Sequence, residues 1–231
     1  MAKISRLTIS KKIKREIFSL IIRGLFLRNS NNTTILLSIA HVSRMKEQLK
    51  SQTVDSFYLT RERMFDSIIF RQEKFIFLEF GVSEGKLTEY FFRKYNSRID
   101  SYHGFDTFMG LPEPWGDLPA GTFSTEGRTP KIDSKRVHWH IGKVEDSREL
   151  ITQITNTNHL PKIFIFDLDL YEPSKSVWLA IKKNLNPGDI LYFDEAYYYD
   201  ERNLVEEILI DMCTSIQILG FTIFSTAYEI V

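Results

Sequence analysis

The sequence predicts an α/β fold, a doubly wound and mostly parallel seven-stranded sheet whose last strand is antiparallel. From residue 75 onward, short apolar runs alternate with helical stretches, a pattern typical of parallel strands joined by right-handed crossovers. The closing pair of apolar runs, roughly 216–221 and 226–231, leaves no room for a helix between its members. We therefore expect the last strand to run against its neighbours.

Five further strands are expected before the closing pair. They lie at 75–78, 99–105, 136–141, 162–166 and 190–193. The first and fourth are continuous apolar runs, which suit strands that are buried on both faces. Helices are expected at about 84–95 and 203–212. Another helix should begin near Pro173, where the missing N–H costs little, and end at Pro187-Gly188.

The chain divides by pattern into a helical extension or cover, residues 1–70, and a main domain, residues 71–231. Apolar residues recur at helical spacing near the N-terminus, opposite a basic face. The apolar set is Ile13, Ile17, Leu20, Ile21 and Leu25, and the basic set is Lys12, Arg15 and Arg23. We expect this helix to cover the sheet or a second copy in a homodimer. The alternative is peripheral contact with an anionic membrane surface.

Composition excludes several function classes. The 231 residues carry 30 basic and 30 acidic side chains, so no global field favours nucleic acid, and no nucleic-acid partner is expected. The single cysteine, Cys213, cannot form an intrachain disulfide, which fits a reducing compartment. No apolar run reaches the length of a membrane span. We expect a cytoplasmic protein.

A long connection interrupts the predicted domain at 107–135. It holds four of the seven prolines and four of the eleven glycines and shows no clear periodicity. Connections of this length inside compact domains are usually functional or disordered. Because it starts at the carboxyl end of the second strand, where ligands bind in such sheets, we predict an active-site lid.

A glycine-containing turn follows the first strand, with the sequence Glu-Phe-Gly-Val-Ser-Glu-Gly at 79–85. Small residues there allow a ligand to approach the backbone, although an ordinary strand-to-helix turn has the same composition. Ser83 replaces the second glycine of a dinucleotide fingerprint. Glu79 could accept a hydrogen bond from the ammonium group of an amino-acid ligand. Asp106, at the end of the second strand, could accept both hydroxyls of a ribose or simply cap its loop.

Acidic residues follow the fourth and fifth strands. Asp167, Asp169, Asp194 and Glu195 should meet at one rim of the sheet and repel one another unless a cation or shared protons relieve them. Oxygen-only ligands favour magnesium, calcium or manganese, and a spare carboxylate could act as a base. Alternatively, Asp194 and Glu195 only cap helices or bind substrate hydroxyls.

Histidines flank a tryptophan on the third strand. His138 and His140 should share a face, and His140, nearer the carboxyl end, could be a base or an adenine contact. A packed histidine with satisfied hydrogen bonds is the alternative.

Five motifs taken together resemble the macrocin-type O-methyltransferases, a family of class I enzymes with a Rossmann-like fold that use S-adenosylmethionine. The resemblance covers residues 58–231. The motifs are Phe-Leu-Glu-Phe-Gly-Val (77–82), Gly-Phe-Asp-Thr-Phe-Met-Gly-Leu-Pro-Glu-Pro-Trp (104–115), Gly-Lys-Val-Glu-Asp-Ser (142–147), Asp-Leu-Asp-Leu-Tyr-Glu-Pro-Ser (167–174) and Phe-Asp-Glu (193–195).

The resemblance implies roles for individual residues. Its cofactor-binding positions are Glu79, Gly81, Val82, Ser83, Gly85, Asp106, Thr107, Gly142, Val144 and Asp167. Asp167, Asp194 and Glu195 correspond to the magnesium ligands of the metal-dependent members, although those members show two consecutive aspartates where this chain has Asp194-Glu195. Asp169 is the implied base. With His140, which is a candidate from its place on the third strand, the predicted catalytic set is Asp169, Asp167 and His140.

The implied function is methyl transfer from S-adenosylmethionine to a hydroxyl of a sugar, glycan or natural-product acceptor, assisted by a divalent metal such as Mg²⁺ in some members. One alternative is a Rossmann-type NAD(P)-dependent oxidoreductase, for which Tyr171 and Lys175 have suitable side chains. Another is a non-catalytic member that binds cofactor or glycan.

Overall fold

The computed structural model describes residues 57–69, 72–157, 159–197, 199–212, 215–222 and 224–231. The predicted basic amphipathic helix and Cys213 lie outside these residues, so their proposed roles stay predictions. Among the described residues, no helix is long and apolar enough to cross a membrane.

Helices and strands alternate along most of the described chain. The helices are α1 (Arg61–Ile69), α2 (Lys86–Tyr95), α3 (Arg148–Thr157), α4 (Tyr171–Ile181) and α5 (Tyr199–Asp211), and a 3-10 helix spans Val144–Ser147. The strands are β1 (Phe75–Phe80), β2 (Ile99–Asp106), β3 (Val137–Ile141), β4 (Lys162–Phe166), β5 (Ile190–Phe193), β6 (Ile216–Phe221) and β7 (Thr226–Ile230).

These strands form one seven-stranded sheet in the order β3-β2-β1-β4-β5-β7-β6. Strands β1 to β5 pair in parallel, and β7 is antiparallel to both β5 and β6. This topology confirms the predicted fold class and the reversed last strand.

Alternating side chains of β1 belong to two hydrophobic clusters, one on each face of the sheet. Phe75 and Phe77 pack with Met64 and Phe65 of α1 and with Phe91 of α2. The other face buries Ile76, Leu78 and Phe80 beneath α3, α4 and α5. Every residue of β1 and β4 is buried, as the continuous apolar runs predict.

The position of α1 bears on the predicted division at residue 70. The ring of Phe65 lies 4.6 Å from that of Tyr192 on β5 and 5.0 Å from that of Phe91 on α2, measured between centroids. Residues 61–69 therefore pack directly onto the sheet. The division into extension and main domain stays a prediction, because residues 1–56 are not described.

Helix α4 ends earlier than predicted, at Ile181 rather than at Pro187-Gly188. Its last turn closes through the amide of Lys182, which donates to the carbonyl of Trp178. The carboxylate of Asp189 then organises the next turn by accepting hydrogen bonds from the amides of Asn186 and Lys162. That side-chain contact between a loop and β4 is set by the fold rather than by the local sequence.

The glycine that follows β1 is required by close packing. Gly81 has φ +89°, and a Cβ there would lie 1.8 Å from the carbonyl oxygen of Asp167. Backbone atoms directly after β4 therefore occupy the place of any side chain at position 81. This contact fixes the turn after β1 against the end of β4.

We expect Gly81→Ala to destabilise the fold more than Gly188→Ala does. Gly188 has nearly the same φ, +91°, but a Cβ added there would meet nothing within 4 Å. The free energy of unfolding of Gly188→Ala should therefore fall only by the strain of an alanine in the left-handed conformation, about 1–2 kcal/mol. Gly81→Ala should lose at least about 1–3 kcal/mol more through overpacking. Urea denaturation followed by circular dichroism measures both, and equal losses would contradict the packing argument.

Candidate functional site

The carboxyl ends of the central strands are aligned by backbone hydrogen bonds. The amide of Gly81 donates to the carbonyl of Phe105 on β2 at 3.0 Å. The amide of Asp167 donates to the last carbonyl of β1 at 2.9 Å, and that of Asp194 to the last carbonyl of β4 at 3.0 Å. The glycine turn and the acidic segments thus lie side by side at one rim.

Asp106 holds the glycine turn in place. Its Oδ2 accepts hydrogen bonds from the amides of Val82 and Ser83 at 2.7 and 2.8 Å, and its Oδ1 accepts one from the amide of Phe108 at 2.7 Å. Both oxygens therefore already serve the backbone, which is the loop-capping alternative raised from the sequence. The ribose contact of Asp106 stays a prediction.

Glu79 is a buried carboxyl group beside the turn. Its Oε2 accepts hydrogen bonds from the hydroxyls of Tyr102 at 2.6 Å and Thr88 at 3.0 Å. Burial raises its pKa to about 7, although the two hydrogen bonds and the charge of Arg61 act to lower it. Glu79 is therefore poised between its neutral and charged forms near neutral pH.

A cavity of about 290 Å³ opens over the turn. The volume is close to the lower end for small-ligand sites. Its lining combines the turn, the buried acids, α1 and the long loop. The lining residues are Arg61, Glu79, Val82, Ser83, Glu84, Lys86, Leu87, Phe123, Ser124 and Asp167.

The long connection between β2 and β3 forms one wall of this cavity. The hydroxyl of Ser83 donates to the carbonyl of Phe123 at 3.1 Å. Pro130 lies so close to Gly85 that a Cβ on the glycine would approach it to 2.4 Å. In the first half of the loop, Trp115 forms a hydrogen bond with Asp200 at the start of α5. The predicted loop is thus placed over the site, whereas its opening and closing stay a prediction.

Two of the non-glycine residues with left-handed backbone, Ser83 and Phe123, line the cavity. Within the described ranges, such residues occur in the glycine turn, in the long loop and after β4, and none occurs inside a helix or strand. They are Ser83 (φ 49°), Phe108 (58°), Phe123 (67°), Glu126 (57°) and Asp169 (64°). Strained conformations of this kind cluster at functional sites, where the surrounding structure holds them in place.

The acids that follow β4 and β5 form a cluster of interacting groups. Burial and the charge of Asp194 raise the pKa of Asp169 to about 6. Burial, followed by the charges of Asp169 and Asp194, raises the pKa of Glu195 to about 8. Burial also raises the pKa of Asp167 and of Glu201 well above their usual values. At neutral pH these shifts favour the protonated form of Glu195 and leave the ionised form of Asp169 favoured.

Arg61, which the sequence did not place in the site, contributes a positive charge to this cluster. Nη1 of Arg61 donates to both carboxylate oxygens of Asp194, each at 3.1 Å. The hydroxyl of Tyr192 donates to Oδ1 of the same carboxylate. Both carboxylate oxygens of Asp194 thus accept hydrogen bonds from protein donors.

The three predicted metal ligands do not fit a metal ion as they are arranged. Within the described part of the chain, no three His, Cys, Asp or Glu side chains are grouped so that they could hold one. Oε2 of Glu195 is buried without a hydrogen-bond partner there, but the oxygens of Asp194 face the Arg61 guanidinium. Asp167, Asp194 and Glu195 therefore share a rim without forming a ligand set.

His140 lies away from the acids. It is on the edge strand β3, three strand positions from β4, which corresponds to roughly 14 Å. Its Nε2 lies 3.1 Å from Nδ1 of His103, and its ring stacks on Phe105 at 4.4 Å between centroids. Burial lowers its pKa. These contacts match the packed histidine that the sequence left open, and His140 does not line the cavity.

The remaining predicted cofactor residues lie at the ends of β2 and β3. The amide of Gly142 donates to the carbonyl of Asp106 at 3.1 Å, and Val144 is buried at the start of the 3-10 helix. The hydroxyl oxygen of Thr107 accepts a hydrogen bond from the amide of Met109. None of the three lines the cavity over the glycine turn, so their contact with a nucleoside stays a prediction.

Four residues that contact the acids of the site were not predicted from the sequence. Arg61 lies N-terminal to the five motifs of the predicted site, and nothing in the local sequence distinguishes it from Arg63. Tyr102 and Thr88, which donate to Glu79, look like ordinary strand and helix residues. Glu201, whose Oε2 accepts a hydrogen bond from the amide of Glu195, could have been suspected as an acid close to the Phe-Asp-Glu motif.

We expect Glu79→Gln to stabilise the protein at pH 8. A folded-state pKa raised to about 7 from the ordinary 4.5 means that stability is lost as pH rises between those values. Glutamine removes this cost, on the order of 1–3 kcal/mol above pH 7, and retains an oxygen that can accept both hydrogen bonds. Urea denaturation at pH 5 and pH 8 measures the difference, with Glu89→Gln on the exposed side of α2 as control. A variant less stable than wild type at pH 8 would contradict this account.

Comparison with solved structures identifies the architecture. The calicheamicin methyltransferase CalS11 superposes with a TM-score of 0.54 at 19% identity, over 96% of this chain and 94% of that one. The O-methyltransferase NovP gives 0.53 at 14% identity, over 81% and 79%. The mycinamycin methyltransferase MycE, in complex with Mg and SAH, gives 0.50 at 13% identity, over 82% and 54%.

No protein-family model and no curated protein sequence matches the chain. At these identities the likeness concerns architecture, and it agrees with the strand order and the reversed last strand described above. The chain has the Rossmann-like fold of the class I methyltransferases.

Proposed function

We propose that this protein is an S-adenosylmethionine-dependent methyltransferase that acts on a hydroxyl group of a sugar or sugar-containing natural product. The observation that carries the proposal is the buried Glu79, which lines a cavity beside the strained glycine turn and near the acids that follow β4. In this fold, the solved structure of MycE contains SAH, and CalS11 is described as a TDP-rhamnose 3'-O-methyltransferase. These are properties of those proteins, and they support the substrate class proposed here.

The residues around the cavity fit the amino-acid part of such a cofactor. Glu79 offers a carboxyl group to an ammonium ion, and the turn 81–85 leaves backbone atoms accessible. The cofactor, when bound, supplies an electrophilic methyl group, so catalysis by the protein reduces to positioning and proton removal. Phe123 and Ser124 of the long loop line this side of the cavity.

Asp169 is the residue proposed to take the proton of the acceptor hydroxyl. It lies between β4 and α4 in a left-handed conformation, φ 64°, two residues after Asp167, which lines the cavity, while Asp169 itself is outside the lining. Its raised pKa of about 6 makes it a stronger base than an ordinary aspartate while it remains ionised at neutral pH. Asp167, whose pKa is raised by burial and by the neighbouring acids, lines the cavity, so we assign it to ligand contact rather than to proton removal.

The oxidoreductase alternative is not favoured. Tyr171 and Lys175, its candidate catalytic pair, hydrogen bond each other at 2.6 Å on α4. Both side chains also hydrogen bond Glu207 on α5, and neither lines the cavity. The pair is therefore part of a contact between two helices. A non-catalytic member that binds cofactor or glycan stays the second candidate, and a turnover assay separates it from an enzyme.

We expect calorimetric titration to show micromolar binding of S-adenosylmethionine and S-adenosylhomocysteine and no binding of NADH. Glu79→Gln should weaken both by about tenfold, because a neutral amide replaces a charge-assisted partner of the ammonium group. Glu89→Gln is the matched control and should bind as wild type does. Binding of NADH without binding of the sulfur nucleosides would refute the proposed cofactor.

We expect Asp169→Asn to lower kcat by about 100-fold or more while the affinity for S-adenosylhomocysteine is retained, since a general base typically contributes that much. For the wild type, kcat should fall as pH drops through about 6, because the base becomes protonated. The assay follows radioactive methyl transfer to a panel of nucleoside diphosphate sugars and glycosides. If turnover on a responding acceptor is unchanged in Asp169→Asn, the assigned base is wrong.

A further inference from the structure

We propose that Arg61 is the resident cation of the acidic site, so that its guanidinium group occupies the position that a divalent ion would take at Asp194. The proposal rests on the proposed function and deepens it, because it makes methyl transfer by this chain independent of metal. Arg61 would act as a positioning residue through Asp194.

The contacts of Asp194 carry the first step of the argument. A carboxylate that serves a divalent ion must direct oxygen lone pairs at it. Here Nη1 of Arg61 lies 3.1 Å from both carboxylate oxygens, and the hydroxyl of Tyr192 donates to one of them. A metal ion at this carboxylate would have to displace the guanidinium group.

The packing of α1 carries the second step. Met64 and Phe65, one turn after Arg61, are buried against the sheet, and Phe65 contacts the ring of Tyr192 on β5. The same tyrosine donates to Asp194, so α1 and the end of β5 are joined by an apolar contact and a polar one. The packing of α1 on the sheet therefore fixes the position of Arg61 beside the acids.

The electrostatics of the rim carry the third step. Asp167, Asp169 and Asp194 interact with one another, and without a cation their negative charges would repel. Arg61 lines the cavity together with Glu79 and Asp167 and attracts both of these acids as well as Asp194. An arginine keeps its charge at all relevant pH values, so this compensation requires no bound ion.

An ordinary surface ion pair can have the same distance between nitrogen and oxygen, and such pairs contribute little to stability. Arg61 differs because its partner is 133 residues away, at the carboxyl end of a central strand. The side chains of Arg61 and Asp194 are 34% and 20% exposed, and Arg61 is part of the cavity lining. This location makes competition with a metal ion the property to measure.

The test is titration of the full chain with MnCl₂, followed by the loss of the free Mn²⁺ EPR signal and by calorimetry. The variants are Arg61→Met, which keeps an unbranched apolar stem without the charge, Arg61→Lys, which keeps the charge, and Asp194→Asn. Arg63→Ala is the matched control, since Arg63 is an exposed arginine on the same helix. Circular dichroism and urea denaturation check that each variant is folded.

We expect the wild type, Arg63→Ala and Arg61→Lys to bind Mn²⁺ weakly. Arg61→Met should bind it at least about tenfold more tightly, because the oxygens of Asp194 are released. Adding Asp194→Asn to Arg61→Met should remove that gain. Methyl transfer by the wild type should be unchanged in EDTA.

Two results would overturn the proposal. In one, the wild type binds Mn²⁺ as tightly as Arg61→Met does and Asp194→Asn abolishes the binding, which would show that the ion displaces Arg61. In the other, folded Arg61→Met gains no Mn²⁺ affinity, which would show that Arg61 does not hold an ion position. Neither result depends on turnover, so a failure of the proposed methyltransferase function would appear separately, as absent binding of S-adenosylhomocysteine by the wild type.

Discussion

The contact between the Asp167 carbonyl and Gly81 is the constraint on which the site depends. Strands β1 and β4 are adjacent at the centre of the sheet, and their ends are joined by the amide of Asp167 donating to the last carbonyl of β1. Gly81 can turn there because it lacks a Cβ, which would otherwise meet the Asp167 carbonyl at 1.8 Å. This close approach places a buried glutamate, a strained turn and an acidic segment around one cavity.

Burial determines the chemistry of the acids at this rim. Desolvation is the largest cause of the raised pKa at Glu79, Asp167, Asp169 and Glu195. Mutual repulsion among the acids that follow β4 and β5 adds to it. The charge of Arg61, at the N-terminus of α1, opposes both effects at Glu79 and Asp167. The site thus combines three kinds of group in one small region: Glu195, for which the neutral form is favoured, Asp169, for which the ionised form is favoured, and Arg61, which is always positively charged.

The positions of the strands could be predicted closely, because each strand is specified by its own short apolar run. Ile190–Phe193 and Lys162–Phe166 agree with their predicted bounds, and the reversal of the last strand follows from the short connection before it. The end of α4 could not be predicted in the same way. The helix ends at Ile181, before the Pro187-Gly188 signal, and Asp189 then joins the turn that starts at Asn186 to the start of β4.

The sequence by itself determined the fold class, the glycine turn and the acids at the strand ends, since parallel strands bring their carboxyl ends to one edge whatever their side chains. Tertiary structure alone decided which partners these residues meet. It placed Arg61 on Asp194, 133 residues away, turned Asp106 toward the backbone of the glycine turn, and stacked His140 on Phe105 away from the acids. Periodicity records which face of an element is apolar, whereas a pairing between distant side chains depends on packing that leaves no local pattern in the sequence.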